Sequence, residues 1–490
     1  MPSGDCKLSP GRGDTIINIV TLNQWFTACT LSAALVCVGA ATLYSAAQQD
    51  LDREFQAAVA LYEAGQYPEA AVQLEKLLKQ APGSFEVQEL LGIVYASQSQ
   101  FEKANAHFET AVRLQPTSAA ARTNFGTNLV RLGKTELAEQ QFKKASALAP
   151  EDYEANHNLG ELYARMNRLP EALPYLEHAQ RIDPASYDNG YDLALAYLLS
   201  GRLSDARQLI QSLISKRNTA ELHNLLGQVE EKDGNFVSAA NEFETAAHME
   251  PSEGNIFDWG SELLLHRTLE PAIDVFEQGA KRCPDSSRMA IGLGMALYSL
   301  GKYDDAVKSL LRAADLNPGD PRGYPFLYRA FDSSPSQAEE VIKRFRRFAE
   351  LAPKNGLAVY YYAMSVWKSK REQDPSQDMS EIETLLKKAI ALDPNLAEAY
   401  LQLANLYSDQ KKYSDAVPEY LRARGLNSDL ADVHYRLAQA YVRLGEKDKA
   451  QEEFKVYQEL RAQHLSDLDK QRAEIRQFVY AEQQGKEAKP

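Results

Sequence analysis

An all-α solenoid of about twelve stacked antiparallel helix pairs is the fold this sequence predicts. Three observations predict it. One unit is written twice between Ser84 and Pro150. Leu91, Gly92, Tyr95, Ala104, Phe108, Ala111 and Pro116 are matched, each 34 positions on, by Phe125, Gly126, Leu129, Ala138, Phe142, Ala145 and Pro150. A fixed period between 20 and 50 residues marks a solenoid or an array. Second, the apolar positions fall at helical spacing. Leu91 and Tyr95 are four apart, and Ala104, Phe108 and Ala111 are four and three apart, so each set shares one helix face. Third, each unit closes on a proline, which lacks an N–H and stops the helix before it.

The unit can be built from these residue types. Eleven residues lie between Gly92 and Ala104, enough to finish one helix, turn and enter the next. Gly92, Ala104 and Ala111 let two backbones approach, and Tyr95 and Phe108 fill the space beside them. One pair cannot bury both of its faces, so neighbours must stack. A chain of 490 residues exceeds one compact core, and an array that grows in one dimension escapes that limit.

Taken in order, residues 1–24 are polar and mixed in charge, and the Arg12-Gly13-Asp14 triplet among them is read as chance. Trp25 to Ala47 runs 23 residues without a charge, long enough to span a bilayer. It ends in Ser45-Ala46-Ala47, the small residues a signal peptidase accepts. Three readings stand open: a cleaved signal peptide, with the mature chain starting at Gln48, a retained membrane anchor, or an apolar first helix of a soluble protein. Either of the first two, the leading expectation, places the repeats in an exported setting, in the periplasm or on the membrane facing it.

The regular array covers 50–318, about eight repeats. The first carries Ala58, Gly65, Tyr67, Ala70, Leu74 and Pro82. The fourth carries Leu159, Gly160, Tyr163, Ala172 and Pro184. The fifth carries Leu193, Ala194, Tyr197 and Ala206, but Asn218 stands where a proline is expected. Three more follow, through Leu226-Gly227, Trp259-Gly260 and Leu293-Gly294. Residues 319–395 are degenerate. Pro325 forces a first helix to start late or kink, a second helix is expected over Gln337–Leu351, and a polar insertion at 368–380 reads as a loop. Two further repeats occupy 396–458. A charged helix over 459–482 is expected to cap the array, since a terminal repeat needs a polar outer face. Residues 483–490 form a tail.

These repeating residues resemble the tetratricopeptide repeat, a pair of antiparallel helices, and the likeness covers most of the chain. The resemblance implies a right-handed superhelix whose first helices line a concave surface. It implies a protein that holds a peptide or protein partner there. Similar exported repeat proteins serve envelope, pilus or secretion assembly, and a bacterial source is expected.

Composition and motifs exclude other classes. Net charge is −14 with a pI near 5.2, the wrong sign for nucleic acid, which needs a basic stripe. It is also wrong for anionic lipid, so a membrane contact is expected only through 25–47. Of four cysteines, Cys283 alone lies in the repeats, so no disulfide framework is expected there. Gly133-Lys134-Thr135 lacks the earlier glycine of a phosphate loop, Asn128 holding its place, and falls at an interhelix turn. The eight histidines are scattered without an i, i+4 pair. No catalytic residue, cofactor site or metal site is predicted.

The candidate site is therefore the groove. The residues directly before the Leu-Gly position are Asn124, Asn158 and Asp192 in three successive units. They resemble the asparagine ladder with which some superhelical members hold extended peptide, since an amide offers both a donor and an acceptor. His157, Glu161 and Tyr191 stand beside them. The Lys/Asn pair with which other members clamp a C-terminal carboxylate is absent: its places hold Glu89 and Ile93, Thr123 and Thr127, His157 and Glu161. The leading expectation is a non-enzymatic interaction scaffold in envelope or export assembly. The alternative is a substrate-presenting or regulatory subunit of a separate enzyme, of glycosyltransferase or protease type.

Overall fold

The computed structural model describes residues 38–334, 337–373 and 379–463. Among these residues every regular element is an α-helix. They fall into two compact units, divided after Arg217.

The first unit holds α1 (Val38–Glu63), α2 (Tyr67–Gln80), α3 (Phe85–Ser97), α4 (Phe101–Leu114), α5 (Ala119–Arg131), α6 (Thr135–Leu148), α7 (Tyr153–Arg165), α8 (Leu169–Ile182), α9 (Tyr187–Ser200) and α10 (Leu203–Lys216). Each odd helix packs against the even helices on either side of it in sequence, and α3, α5, α7 and α9 also touch one another in turn. That is the stacking the 34-residue spacing requires.

The local sequence explains each boundary. After Pro82, Pro116, Pro150 and Pro184, a Ser84, Ser118, Asp152 or Ser186 side chain accepts from the N–H three residues on and starts the next first helix. The turn inside each pair needs a left-handed residue. Gly133 supplies it at φ +70° without strain, whereas Ser99 and Asn167 adopt φ 59° and 57° there. Gly133-Lys134-Thr135 is thus a turn and a helix start. The core runs through the pairs: Ala104, Phe108, Ala111, Ala138, Phe142, Ala145, Ala172 and Leu176 are all buried.

The second unit holds α11 (Ala220–Lys232), α12 (Phe236–Met249), α13 (Glu253–Leu265), α14 (Leu269–Arg282), α15 (Ser287–Ser299), α16 (Tyr303–Leu316), α17 (Tyr324–Ser333), α18 (Ala338–Leu351), α19 (Gly356–Gln373), α20 (Ser380–Leu392), α21 (Ala397–Asp409), α22 (Tyr413–Leu426) and α23 (Ala431–Leu444). A further helical stretch over 447–463 packs on α23 through Ala450 and Phe454. The missing proline at Asn218 changes little: Thr219 caps α11, and Asn218 Oδ1 is hydrogen-bonded by the His223 ring at 2.7 Å.

Several expectations are refined. The helix that carries the first repeat's Ala58 runs back to Val38, joining the end of the uncharged stretch to the array expected from 50. The late start forced by Pro325 is seen: α17 opens at Tyr324 with the proline in its first turn, where a missing N–H costs nothing. The helix expected from Gln337 starts at Ala338, because Gln337 takes a left-handed φ of 59°. The insertion at 368–380 is not a loop throughout. Residues 368–373 continue α19, since no proline or glycine precedes Pro375 to stop it, and α20 begins at Ser380. Residues 1–37 and 464–490 lie outside the described residues. They include most of the 25–47 segment and most of the expected capping helix. Among the described residues no helix is long and apolar enough to cross a membrane.

Candidate groove on the first helices

The six candidate residues all lie on α5, α7 and α9 of the first unit. Two rows run across these helices. Glu89, Thr123, His157 and Tyr191 recur at intervals of 34, and Asn124, Asn158 and Asp192 form the row beside them. A polar residue that is buried carries more information than an exposed apolar one. These rows are rich in them: Glu89, Thr123, Asn124, His157 and Asn158 are all buried.

The asparagines are partly occupied within the protein. Asn124 Nδ2 donates to Glu89 Oε1 at 3.3 Å, one repeat back. Asn158 Nδ2 donates to the Glu154 carbonyl at 2.7 Å and to Glu154 Oε2 at 3.3 Å, one turn back on α7. They are therefore not a row of free amides. The ladder expected from spacing is instead a row of amides, each tied to a neighbouring acid.

His157 is held from two sides. Its ring stacks on Tyr153 with centroids 5.4 Å apart and planes 10° apart. Its Nδ1–H donates to Asn189 Oδ1 at 3.1 Å, and Asn189 Nδ2 donates to the Leu176 carbonyl at 3.0 Å and to Gln180 Oε1 at 2.8 Å. Glu161 pairs with Arg165 at 3.2 Å along α7. Tyr191 packs on Tyr187, centroids 6.5 Å apart.

The electrostatics are set by desolvated carboxylates. Burial pushes Glu89 up to about 7, opposed by the Asn124 hydrogen bond and aided by Glu86. Burial pushes Asp192 up to about 7 as well; His157 and Arg165 pull it down, while Glu161 and Asp188 add to the rise. Burial also raises Glu154. The structure thus brings His157, Glu161 and Asp192 into one electrostatic cluster, and ties Asn124 to an acid that sequence reasoning had weighed only as a failed clamp. Glu89 and Asn189 become visible as site residues only through contacts between repeats. The one sequence signal for Glu89 is its register, 34 residues before Thr123.

Among the described residues no group of three or more His, Cys, Asp or Glu side chains is placed to hold a metal ion. Cys283 ends α14 as a free thiol.

Comparison with known proteins agrees with this architecture. Tetratricopeptide repeat models match residues 55–119, 123–187 and 257–321, residues 164–229, and residues 385–417 and 431–464. A TPR repeat model matches 404–445. Together they cover more than half of the chain. A TPR repeat-containing protein of Bacillus subtilis, YpiA, is 24% identical over 51% of this chain and 58% of its own length. The protein O-mannosyl-transferase TMTC3 of Mus musculus is 25% identical over 39% of this chain and 20% of its own. The chain thus spans less than two thirds of either relative. A solved tetratricopeptide repeat protein from Parabacteroides merdae aligns with 51% of this chain and 99% of its own, at 17% identity and a TM-score of 0.39. Spacing, helix pairing and matched family models lead to one conclusion: this chain belongs to the tetratricopeptide repeat proteins.

Proposed function

We propose that this protein is a non-enzymatic interaction scaffold, and that the first helices of its first unit hold an extended peptide segment of a protein partner. A tetratricopeptide array is a surface for protein–protein contact. One observation carries the finer reading. Two adjacent rows of polar side chains recur on the first helices, Glu89, Thr123, His157 and Tyr191 on α3 to α9 and Asn124, Asn158 and Asp192 on α5 to α9, buried up to α7 and half-buried on α9. A peptide repeats its N–H and C=O groups regularly, so a polar row with a regular step suits it. Panning a random-peptide display library on the full chain, then measuring hydrogen exchange with the selected peptides, tests this. Protection confined to α3, α5, α7 and α9 is expected; protection elsewhere, or no selected peptide, contradicts it.

We place the partner in envelope or export assembly, on the strength of the uncharged stretch over 25–47. N-terminal sequencing and membrane fractionation in a bacterial host test that placement. A start near Gln48 in the periplasm, or an intact chain in the membrane, supports it, and an intact soluble cytoplasmic chain contradicts it. The similarity to TMTC3 favours a second reading, in which the array presents substrate to a separate enzyme. A partner that co-purifies with transferase activity would select that reading.

A further inference from the structure

The two rows also bear on the chemistry of the segment they would take, an inference that rests on the peptide-binding reading above. The first helices α3, α5, α7 and α9 carry Glu86, Glu89, Glu154, Glu161, Asp188 and Asp192 against Arg122, Arg131 and Arg165, and Arg122 is already engaged by the Pro116 carbonyl and Gln141. Among the described residues no cationic side chain acts on Glu89, whereas Asp192 feels His157 and Arg165 without a direct ion pair. Glu89 is 7% exposed and receives only the 3.3 Å bond from Asn124. A carboxylate removed from water without a counter-charge is costly, and a cation supplied from outside recovers that cost.

A second observation is independent of the acids. Thr123 stands in the same row, between Glu89 and His157. Its side chain is 6% exposed, and its hydroxyl has no hydrogen-bond partner. A buried hydroxyl without a partner is rare in a finished interior and marks a place where a bonding group is missing. A threonine hydroxyl can accept from an ammonium or guanidinium N–H. One turn before Tyr191 on α9 an aromatic ring already holds such a group: Arg217 lies over the Tyr187 ring at 4.6 Å.

We propose that this groove binds a cationic segment, with one lysine or arginine side chain seated at Glu89 and Thr123 and a second at Asp192 beside Tyr191. The selected partner is an extended peptide with basic residues spaced to meet both ends, and acidic peptides are rejected by the same carboxylates.

The test uses the full chain and a fluorescein-labelled dodecapeptide of alanine and glycine carrying two lysines. The same peptide with both lysines acetylated, and with both replaced by glutamate, serves for comparison. Saturable binding of the lysine peptide is expected, about tenfold or more weaker on acetylation. Glu89→Gln and Asp192→Asn should each weaken the lysine peptide by a similar factor and leave the acetylated one unchanged. Equal binding of the lysine and acetyl-lysine peptides, or no saturable binding of either, overturns the proposal; that comparison needs no variant, so it stands even if a substitution unfolds the chain. Display-selected peptides that protect α3, α5, α7 and α9 but ignore both substitutions would overturn the cationic preference and leave the groove reading intact. Absence of any groove-bound peptide would overturn both.

Discussion

A Cβ built on Gly126 would lie 2.5 Å from Cε1 of Phe142, closer than real side chains approach. The same pairing recurs at Gly92 with Phe108 at 2.6 Å and at Gly227 with Phe243 at 2.8 Å. In each the ring follows the glycine by sixteen residues and lies against the bare backbone of the first helix. Where the fifth repeat has Ala194, the partner is the slimmer Ile210, and both are buried. Gly126→Ala should therefore cost about 1–3 kcal/mol by overpacking. Adding Phe142→Ile should return part of that cost, because an alanine and an isoleucine already share these two positions at Ala194 and Ile210. Denaturant melts of both singles and the double check the coupling; strictly additive costs would contradict it.

Ala104 meets the same test from the other helix. It is fully buried beside Phe108. Ala104→Leu should overpack the pair by about 1–3 kcal/mol. An unchanged melting temperature would show the register of the repeat to be wrong.

Glu262 predicts a pH dependence in the second unit. It is 4% exposed on α13, and its Oε1 has no hydrogen-bond partner. Burial, with Glu231 adding to it, pushes its carboxyl from 4.5 up to about 8. The His266 ring lies 3.4 Å away, and burial lowers that imidazole, so no cation compensates near neutral pH. A carboxyl raised in the folded state holds its proton more tightly there than in the unfolded chain. Its contribution is complete below about 4.5 and is lost as pH rises through about 8. Glu262→Gln should be nearly neutral at low pH and stabilising by up to a few kcal/mol above pH 8. Melts across that range check it, and a pH-independent difference would contradict it.

Arg267 sits at a left-handed φ of 57°, in the turn where other pairs place glycine. A non-glycine residue there costs about 1–2 kcal/mol, and glycine gives part of that back as unfolded-state entropy. Arg267→Gly should stabilise the second unit by up to about 1 kcal/mol, read by denaturant melt. A loss of stability would mean that the arginine side chain makes a compensating contact.

Glu177 clips two repeats together. It accepts from Tyr197 Oη at 3.0 Å and from Arg202 Nη1 at 2.7 Å, and Arg202 lies 4.3 Å over the Tyr197 ring. Glu139, Tyr163 and Arg168 repeat the arrangement one unit earlier. Because these groups are partly exposed, Glu177→Ala should cost only about 1 kcal/mol, and less at high salt. A cost insensitive to salt would argue against the ion pair.

The fold was largely legible because it is repeated. Leu91 through Pro116 gives a weak signal alone, but the same offsets at Phe125 through Pro150 remove the ambiguity between buried helix and strand. Asn218 shows why a missing proline misleads little: α10 still ends at Lys216, and the cap at Thr219 starts α11. The extent of α19 was not legible, since a polar run without a stop signal reads as loop and folds as helix when its neighbour holds it. The groove was half legible. Register placed Asn124, His157, Asn158 and Asp192 on one surface, but the pairing of Asn124 with Glu89 and of His157 with Asn189 depends on how one repeat settles on the next. No spacing within a single unit contains that information.

The groove itself is tested most directly by site-specific photo-crosslinking in the full chain. A crosslinker would be placed at Tyr191 on α9 and, separately, at Val72 on α2, which is 70% exposed. If the first helices hold the partner, the display-selected peptide is captured from position 191 and not from position 72. Capture at 72 with none at 191 would place the binding surface on the second helices and contradict the groove assignment.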